Sequence, residues 1–314
     1  MSEMNFVTLF DQSYAPQGLA LIESISTQHP NANIWIIAMD DVSHKLLSEL
    51  QYPNVKIIEV NEITTHSFVS VSNKRSLSEY CWTAKPFAVS EVFRRNPLVD
   101  SVALIDANMY LLQSFESLFR EFKKTNRTTM IIRHAFSPEY DQTRISGEFC
   151  SSLVFFHRRA LDSLLPDWEG SCVLWCSDTP ENGLFSDQKY LESWSYKFEN
   201  EVKVFSKDEL LGAPWNIKDR TDKKLVAYKF QGLRFLTKER VLLTESYDLG
   251  GETIELIYRP YCQLLFEMVK LMESAGIPYS LGRASKDRRR TRAISIALAK
   301  GRLRPNSPYV IQSN

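Results

Sequence analysis

No Cys-x-x-Cys pair occurs in this chain of 314 residues, and its five cysteines form an odd, irregularly spaced set. Cys172 and Cys176 lie one helical turn apart; the other three are scattered. Neither a zinc site of ordinary spacing nor a disulfide framework is suggested, and reduced thiols in a cytoplasmic setting are expected. No run approaches the roughly 20 apolar residues of a membrane-spanning helix. The first ten residues lack a basic segment followed by an apolar one, so no secretory leader is expected there. Internal repeats and low-complexity stretches are absent. Net charge is also lacking, since 38 Lys and Arg balance 38 Asp and Glu.

That neutrality hides an uneven distribution. Between residues 283 and 304 there are nine Lys or Arg and one acid, so the segment carries +8 and the rest of the chain −8. A basic tail on an acidic body follows. Its cations flank a short apolar stretch at 293–299, a pattern suited to peripheral attachment at an anionic membrane surface. A solvated or partly disordered tail, or one docked on the acidic body of its own or a neighbouring chain, is the competing reading. Nucleic acid is not expected, because no aromatic side chain interrupts these charges before Tyr309.

A hydrophobic content of 44% is enough for a sizeable core. The first two-thirds alternate strand and helix. Apolar strands are expected at 6–10, 34–39, 55–60 and 101–105. Helices are expected at 17–27, from Ser43 to about Leu50, and from near Pro86 to before Pro97. This order predicts an α/β fold with a mostly parallel twisted sheet covered on both faces. Ligands of such sheets bind at the carboxyl ends of strands, where Asp11, Asp40 and Asp106 fall. Further on, the pattern predicts strands at 151–157 and 202–205 and helices at 160–176, 186–194 and 254–275. One domain over 1–245 and a C-terminal helical and basic appendage over 246–314 are expected.

Four segments carry candidate chemistry. Asp106-Ala107-Asn108 closes a buried strand, a place where a carboxylate can hold a divalent cation against a diphosphate leaving group. A strand-end Asp capping a turn would look the same. Residues 73–86 put Lys74, Arg75 and Lys85 around Tyr80 and Trp82, cations for phosphates and a ring for a base or sugar. Asp187 and Gln188 are expected in the first turn of a helix. There Asp187 could take a proton from an acceptor hydroxyl, or could simply favour the helix dipole. Trp215 and Asn216 could hold a sugar by stacking and hydrogen bonding, or Trp215 could be a core residue beside an edge strand. Lys229 and Gln231 should share one face of a strand.

In this order, FDQSYAPQGLAL, KRSLSEYCWTAKP, LIDANMYLLQS, RHAFSPEY, WCSDTPENGLFSDQKYLESW and APWNI resemble the bacterial nucleotide-diphospho-sugar transferases. These are distant relatives of the glycogenin-like family eight glycosyltransferases. The resemblance runs from about Phe6 to Phe235, and the stretch around SDQKYLESW is its most specific part. It implies a GT-A (Rossmann-like) fold and a nucleotide-sugar donor, with a glycan or lipid-linked acceptor. It also implies donor contacts from Asp11, Tyr14, Arg75, Trp82, Lys85, Asp106, Asn108, Lys229 and Gln231. Asp187 would be catalytic, and Gln188, Trp215 and Asn216 would lie on the acceptor side.

The chain departs from that family where it matters. Asn108 stands where the family has a second Asp, Lys229-Phe230-Gln231-Gly232 replaces a histidine-containing motif, and Phe149-Cys150-Ser151-Ser152 replaces a glycine- and asparagine-containing strand entry. Asp106 and Asn108 would be the metal ligands if Mn or Mg were used. A lost carboxylate and imidazole, with a lysine gained, point instead to neutralisation by fixed cations. The altered site leaves open a non-catalytic nucleotide- or glycan-binding relative. A sugar-1-phosphate nucleotidyltransferase would open with a Gly-rich loop after the first strand, where this chain has DQSYAPQG.

Overall fold

The computed structural model describes residues 4–207, 210–217, 225–280 and 288–313; the side chains of 288–290 are not among those described. Seven strands form the central sheet in the order β3-β2-β1-β4-β7-β6-β8. They are β1 (Asn5–Phe10), β2 (Asn33–Ala38), β3 (Val55–Glu59), β4 (Ser101–Ile105), β6 (Thr129–Arg133), β7 (Phe149–His157) and β8 (Val202–Val204). β7 alone runs against its neighbours, pairing antiparallel with β4 and β6; the other pairings are parallel. β1, β4 and β7 are apolar and buried almost end to end. That is the pattern of strands covered on both faces.

Helices Ala15–Gln28 and Arg259–Ser274 lie on one face, and helices Leu77–Arg95 and Leu164–Leu174 on the other. One core is built on Phe6, Leu19, Ile22, Phe119 and Phe155. The opposite one holds Val7, Phe87, Phe93, Trp168 and Trp194. A three-stranded sheet sits at the edge, with β10 (Ala227–Lys229) antiparallel to β5 (Met109–Leu111) and parallel to β9 (Leu211–Gly212).

Several expected elements move. Pro86 lies inside the helix Leu77–Arg95, which starts nine residues earlier than it does. The reason is a capping box: Ser76 Oγ accepts from Glu79 N at 3.4 Å, and Glu79 Oε2 accepts from Ser76 N at 2.9 Å. The helix expected from residue 186 begins only at Leu191. Ser186 takes a positive φ of 49°, and Asp187 and Gln188 therefore sit in turns rather than in a first helical turn. The helix expected at 160–176 is confined to Leu164–Leu174, after a 3-10 turn at Arg158–Asp162. The one expected at 254–275 includes a π-helical turn, Ile254–Tyr258, ahead of Arg259–Ser274.

The segment after residue 245 is packed as part of the same body. Tyr258, Cys262, Leu265 and Val269 share a core with Phe6 and Leu19. β13 (Val310–Gln312) pairs antiparallel with β12 (Arg240–Leu242), itself paired with β11 (Arg234–Thr237). The basic segment is partly tied to its own chain. Lys300 Nζ donates to Ser246 O at 2.7 Å, and Arg302 is 3% exposed and bonds Asp248 Oδ1 at 2.6 Å. Those two cations follow the self-docked reading. Arg283, Lys286 and Asp287 lie outside the described residues. Among the described residues, no helix is long and apolar enough to cross a membrane.

Candidate active site

Asp106 follows β4, and its backbone N–H donates to Ser152 O of β7 at 2.9 Å. Because β7 is reversed, its beginning lies beside the carboxyl end of β4 and brings Cys150 and Ser151 to the same edge. His134 arrives there from the end of β6, since Arg133 pairs with Phe149. Lys229 reaches it because β10 pairs Lys229 opposite Met109, just past Asp106-Ala107-Asn108. Lys85 comes from within the Leu77–Arg95 helix, and Asp187 from the turns after the loop 175–185.

These side chains form a line of alternating charge. Lys229 Nζ is 3.2 Å from Asp106 Oδ2. Lys85 Nζ is 2.8 Å from Asp106 Oδ1 and 3.2 Å from Asp187 Oδ2, and donates to Ser151 Oγ at 3.1 Å. Lys85 and Asp187 are 6% and 2% exposed, so water screens this line little. The contact of Lys85 with Asp187 is an ion pair without hydrogen-bond geometry, and Asp187 Oδ2 has no other partner. A buried acceptor in that state can take a further donor, such as a hydroxyl.

Burial opposes ionisation of Asp106, but Lys85 and then Lys229 outweigh it and hold the carboxyl below its ordinary range. Burial likewise opposes protonation of Lys85, and Asp106 and Asp187 overcome it, raising its pKa. Cys150, 2% exposed, has its Sγ 3.9 Å from Lys229 Nζ and 2.9 Å from Ser152 Oγ. Burial would raise the Cys150 thiol, but Lys229 and His134 draw it down to about 6. Its folded value thus lies below the ordinary 9.0, so thiolate stabilisation is present at high pH and is lost as pH falls through about 6. Ultraviolet titration of the folded chain should show a thiolate step near pH 6 that Cys150→Ser abolishes. A step only above pH 8 would remove the thiolate from this picture.

The other expected site residues divide. Trp215 is 6% exposed and packs with Phe136 and Tyr247; its Nε1 donates to His134 O at 2.7 Å. Lys229 Nζ stands 5.9 Å from the centre of the Trp215 ring, so the indole forms a wall of the charged line. Asn216 is occupied with the backbone: Oδ1 accepts from Ala213 N at 2.9 Å, and Nδ2 donates to His134 O at 3.1 Å. Asp11 and Asp40 meet at the ends of β1 and β2. Asp11 Oδ1 accepts from Ser13 and Tyr14, while Asp40 caps the helix Asp41–Leu50 through Ser43 N and takes Gln12 N at 3.0 Å. Burial lifts the Asp11 carboxyl above its ordinary value, against the Ser13 hydroxyl.

Tyr14 is 41% exposed beyond Asp11. Trp82 lies half-buried with its ring 6.5 Å from that of Phe185. Gln188 follows Asp187 in the turns, and Gln231 follows Lys229 where β10 ends. Arg75 is not brought to the charged line. Its guanidinium donates to the carbonyls of Cys172, Val173 and Cys176 and so closes the C-terminus of the helix Leu164–Leu174. Sequence reasoning assigned no role to Cys150, Ser151 and His134. For Cys150 and Ser151 the signal was the polar interruption of an otherwise apolar strand entry; His134 directly follows the strand β6.

A divalent cation is tested by what surrounds Asp106. Both carboxylate oxygens already face ammonium groups, and no cluster of three or more His, Cys, Asp or Glu that could hold a metal occurs among the described residues. Asn108 Oδ1 is a buried acceptor without a partner, but it is a single neutral ligand. Mn²⁺ or Mg²⁺ beside Asp106 would meet two fixed positive charges, so these residues do not fit the ion.

No protein-family model matches the chain. It is 23% identical over 300 residues to the uncharacterized protein YfnF of Bacillus subtilis (strain 168), covering 90% of this chain and 98% of that one. The uncharacterized YfnD of the same organism is also 23% identical, over 295 residues. Among solved structures, the galactosyltransferase LgtC in complex with donor and acceptor sugar analogues superposes with a TM-score of 0.56 at 12% identity, covering 87% of this chain and all of LgtC. Mouse xyloside xylosyltransferase 1 gives 0.50 at 13% identity, over 73% of this chain and 98% of that one. The bifunctional glycosyltransferase WbbM gives 0.52 at 19% identity, over 85% of this chain and 52% of its own length. The fold is therefore of the GT-A glycosyltransferase type, as the resemblance implied.

Proposed function

We propose that this protein transfers a glycosyl group from a nucleotide-diphosphate sugar to a hydroxyl of a glycan or lipid-linked acceptor, using fixed lysines where a metal ion is otherwise employed. The observation that carries this reading is the line Lys229–Asp106–Lys85–Asp187 at the carboxyl edge of a GT-A-type sheet.

The chemistry divides along that line. When the bond between the sugar's anomeric carbon and the diphosphate oxygen breaks, the electron pair leaves with the diphosphate. Lys229 is the cation on that side, with Trp215 as its wall. A fixed positive charge in a water-poor site stabilises developing negative charge without reorganising solvent. A new bond forms from the acceptor oxygen to the same carbon, and its proton goes to the Asp187 carboxylate. Lys85 joins the two ends, lying between both carboxylates, and favours the charged form of Asp106. Tyr14 and Trp82 are the candidate contacts for the nucleotide and sugar, and Gln188 for the acceptor. The cytoplasmic, membrane-surface setting belongs to the proposal, supported by five unpaired thiols and the basic segment.

A panel of nucleotide sugars, scored for hydrolysis and for transfer to acceptor mixtures, tests the reading. Turnover with at least one donor is expected, and it should survive EDTA unchanged. Complete loss in EDTA, restored by Mn²⁺, would overturn the fixed-lysine assignment and leave glycosyl transfer standing. Binding of a nucleotide sugar without any turnover would favour the non-catalytic relative. The occupied oxygens of Asp106 are also compatible with that role.

A further inference from the structure

A second cationic cleft lies in the C-terminal part of the chain, sharing no lining residue with the charged line. It is an open depression of about 530 Å³ lined by Lys300, Arg302, Arg304, Asp248, Ser307 and Tyr309, among others. That volume falls within the ~300–1,000 Å³ of small-molecule sites. Three cations against one carboxylate leave a local charge of +2.

The cleft is organised around a locked arginine. The Arg302 guanidinium stands 3.9 Å from the Tyr309 ring centre. Its Nη1 donates to Tyr247 O at 2.5 Å and its Nη2 to Asp248 Oδ1 at 2.6 Å. Its Nε is buried without an acceptor. Asp248, the one acid of the lining, is thus already engaged, and it is itself largely exposed. Arg304 is exposed and has no acidic partner among the described residues, while Lys300 spends one donor on Ser246 O. Two exposed cations beside a rigidly held guanidinium suit a dianion with several acceptor oxygens. The aromatic wall suits an organic group attached to it.

We propose that this cleft binds the phosphoryl group of a phosphate monoester or diphosphate ligand. The inference does not rest on glycosyl transfer. The cleft is nevertheless joined to the charged line, since Tyr247, whose carbonyl holds Arg302, packs its ring 6.1 Å from that of Trp215. The phosphoryl group could belong to a soluble compound or to a lipid headgroup, and the two are separable.

The probe is inorganic phosphate, titrated into the full chain and followed by calorimetry. Saturable binding is expected. The double variant Lys300→Ala/Arg304→Ala should weaken it at least ~10-fold, as expected for loss of two charge-assisted contacts. The component of binding lost in the double variant should persist in Lys229→Ala, which separates this cleft from the charged line. Both exposed side chains can be removed without opening the core, and a thermal melt of the variant checks this. Arg304→Glu supplies a second, charge-reversing test with the same expected direction. Sedimentation with phosphatidic acid, phosphatidylglycerol and phosphatidylcholine vesicles separates the sources. Preference for phosphatidic acid, lost in the double variant, supports a lipid phosphomonoester; phosphate binding without vesicle binding supports a soluble one. No saturable phosphate binding, or equal binding by the double variant, overturns the proposal.

Discussion

Asp187→Asn is expected to lower turnover by at least ~100-fold, the ordinary contribution of a general base, while the donor KM changes little. The substitution keeps the shape of a side chain that is 2% exposed and removes only the charge and one acceptor oxygen. Two features make the carboxylate suited to a proton. Its Oδ2 has no hydrogen-bond partner, and Lys85 stands 3.2 Å away as a compensating charge. Its position is fixed from behind, because Trp168 Nε1 donates to Asp187 O at 2.9 Å. Steady-state kinetics on the best donor of the panel is the measurement. Unchanged turnover would leave Asp187 as a counter-ion for Lys85 only. A raised donor KM at unchanged kcat would move it from the acceptor side to the donor side.

Lys85→Met is expected to cost about 3–5 kcal/mol of stability at neutral pH, because removing one partner strands buried opposite charge. Lys85 touches Asp106, Asp187 and Ser151 together, and among the described residues Asp187 has no other ion-pair partner to replace it. The pH dependence follows from the shifts. The Lys85 pKa is raised above 10.5, so its contribution is present below that pH and is lost as pH rises through the higher folded value. The Asp106 pKa is lowered below 3.8, so its contribution is present above that pH and is lost as pH falls through the lower folded value. The gap between intact chain and variant should therefore be widest between those limits and narrow in acid. Urea unfolding at pH 7 and at pH 3 measures it. Equal midpoints at pH 7 would show that the carboxylates do not depend on Lys85.

The two variants probe different things. Asp187→Asn leaves the line of charge one unit more positive and removes the proton acceptor. Lys85→Met leaves the acceptor and removes its compensating charge.

Much of the architecture was legible in the chain. Apolar runs such as VALI and IWIIA, each ending in an acid, marked β4 and β2 and placed Asp106 and Asp40 at the edge where they are found. Pro86 misled, because a proline usually opens a helix, and the stronger signal was the Ser76-x-x-Glu79 box upstream. Asp187 was expected in a helix; the turns that hold it depend on Ser186 at positive φ and on Trp168 beneath, neither a local preference. Arg75 lay in the right segment by composition, yet its guanidinium went to the open carbonyls of a helix end about a hundred residues away.

The sequence by itself determined the alternation of strand and helix, the acids at strand ends and the replacement of acid and histidine by Asn108 and Lys229. These follow from periodicity and residue type, which act over a few neighbours. Only the tertiary structure decided that Lys229, 123 residues from Asp106 in the chain, closes on one of its oxygens while Lys85 closes on the other. Only it brought Cys150 beside both Lys229 and His134, through the reversed strand β7. The reason is physical. Buried charges are tolerated only where opposite charges meet them at about 3 Å, and that proximity is set by strand pairing and helix packing rather than by spacing along the chain.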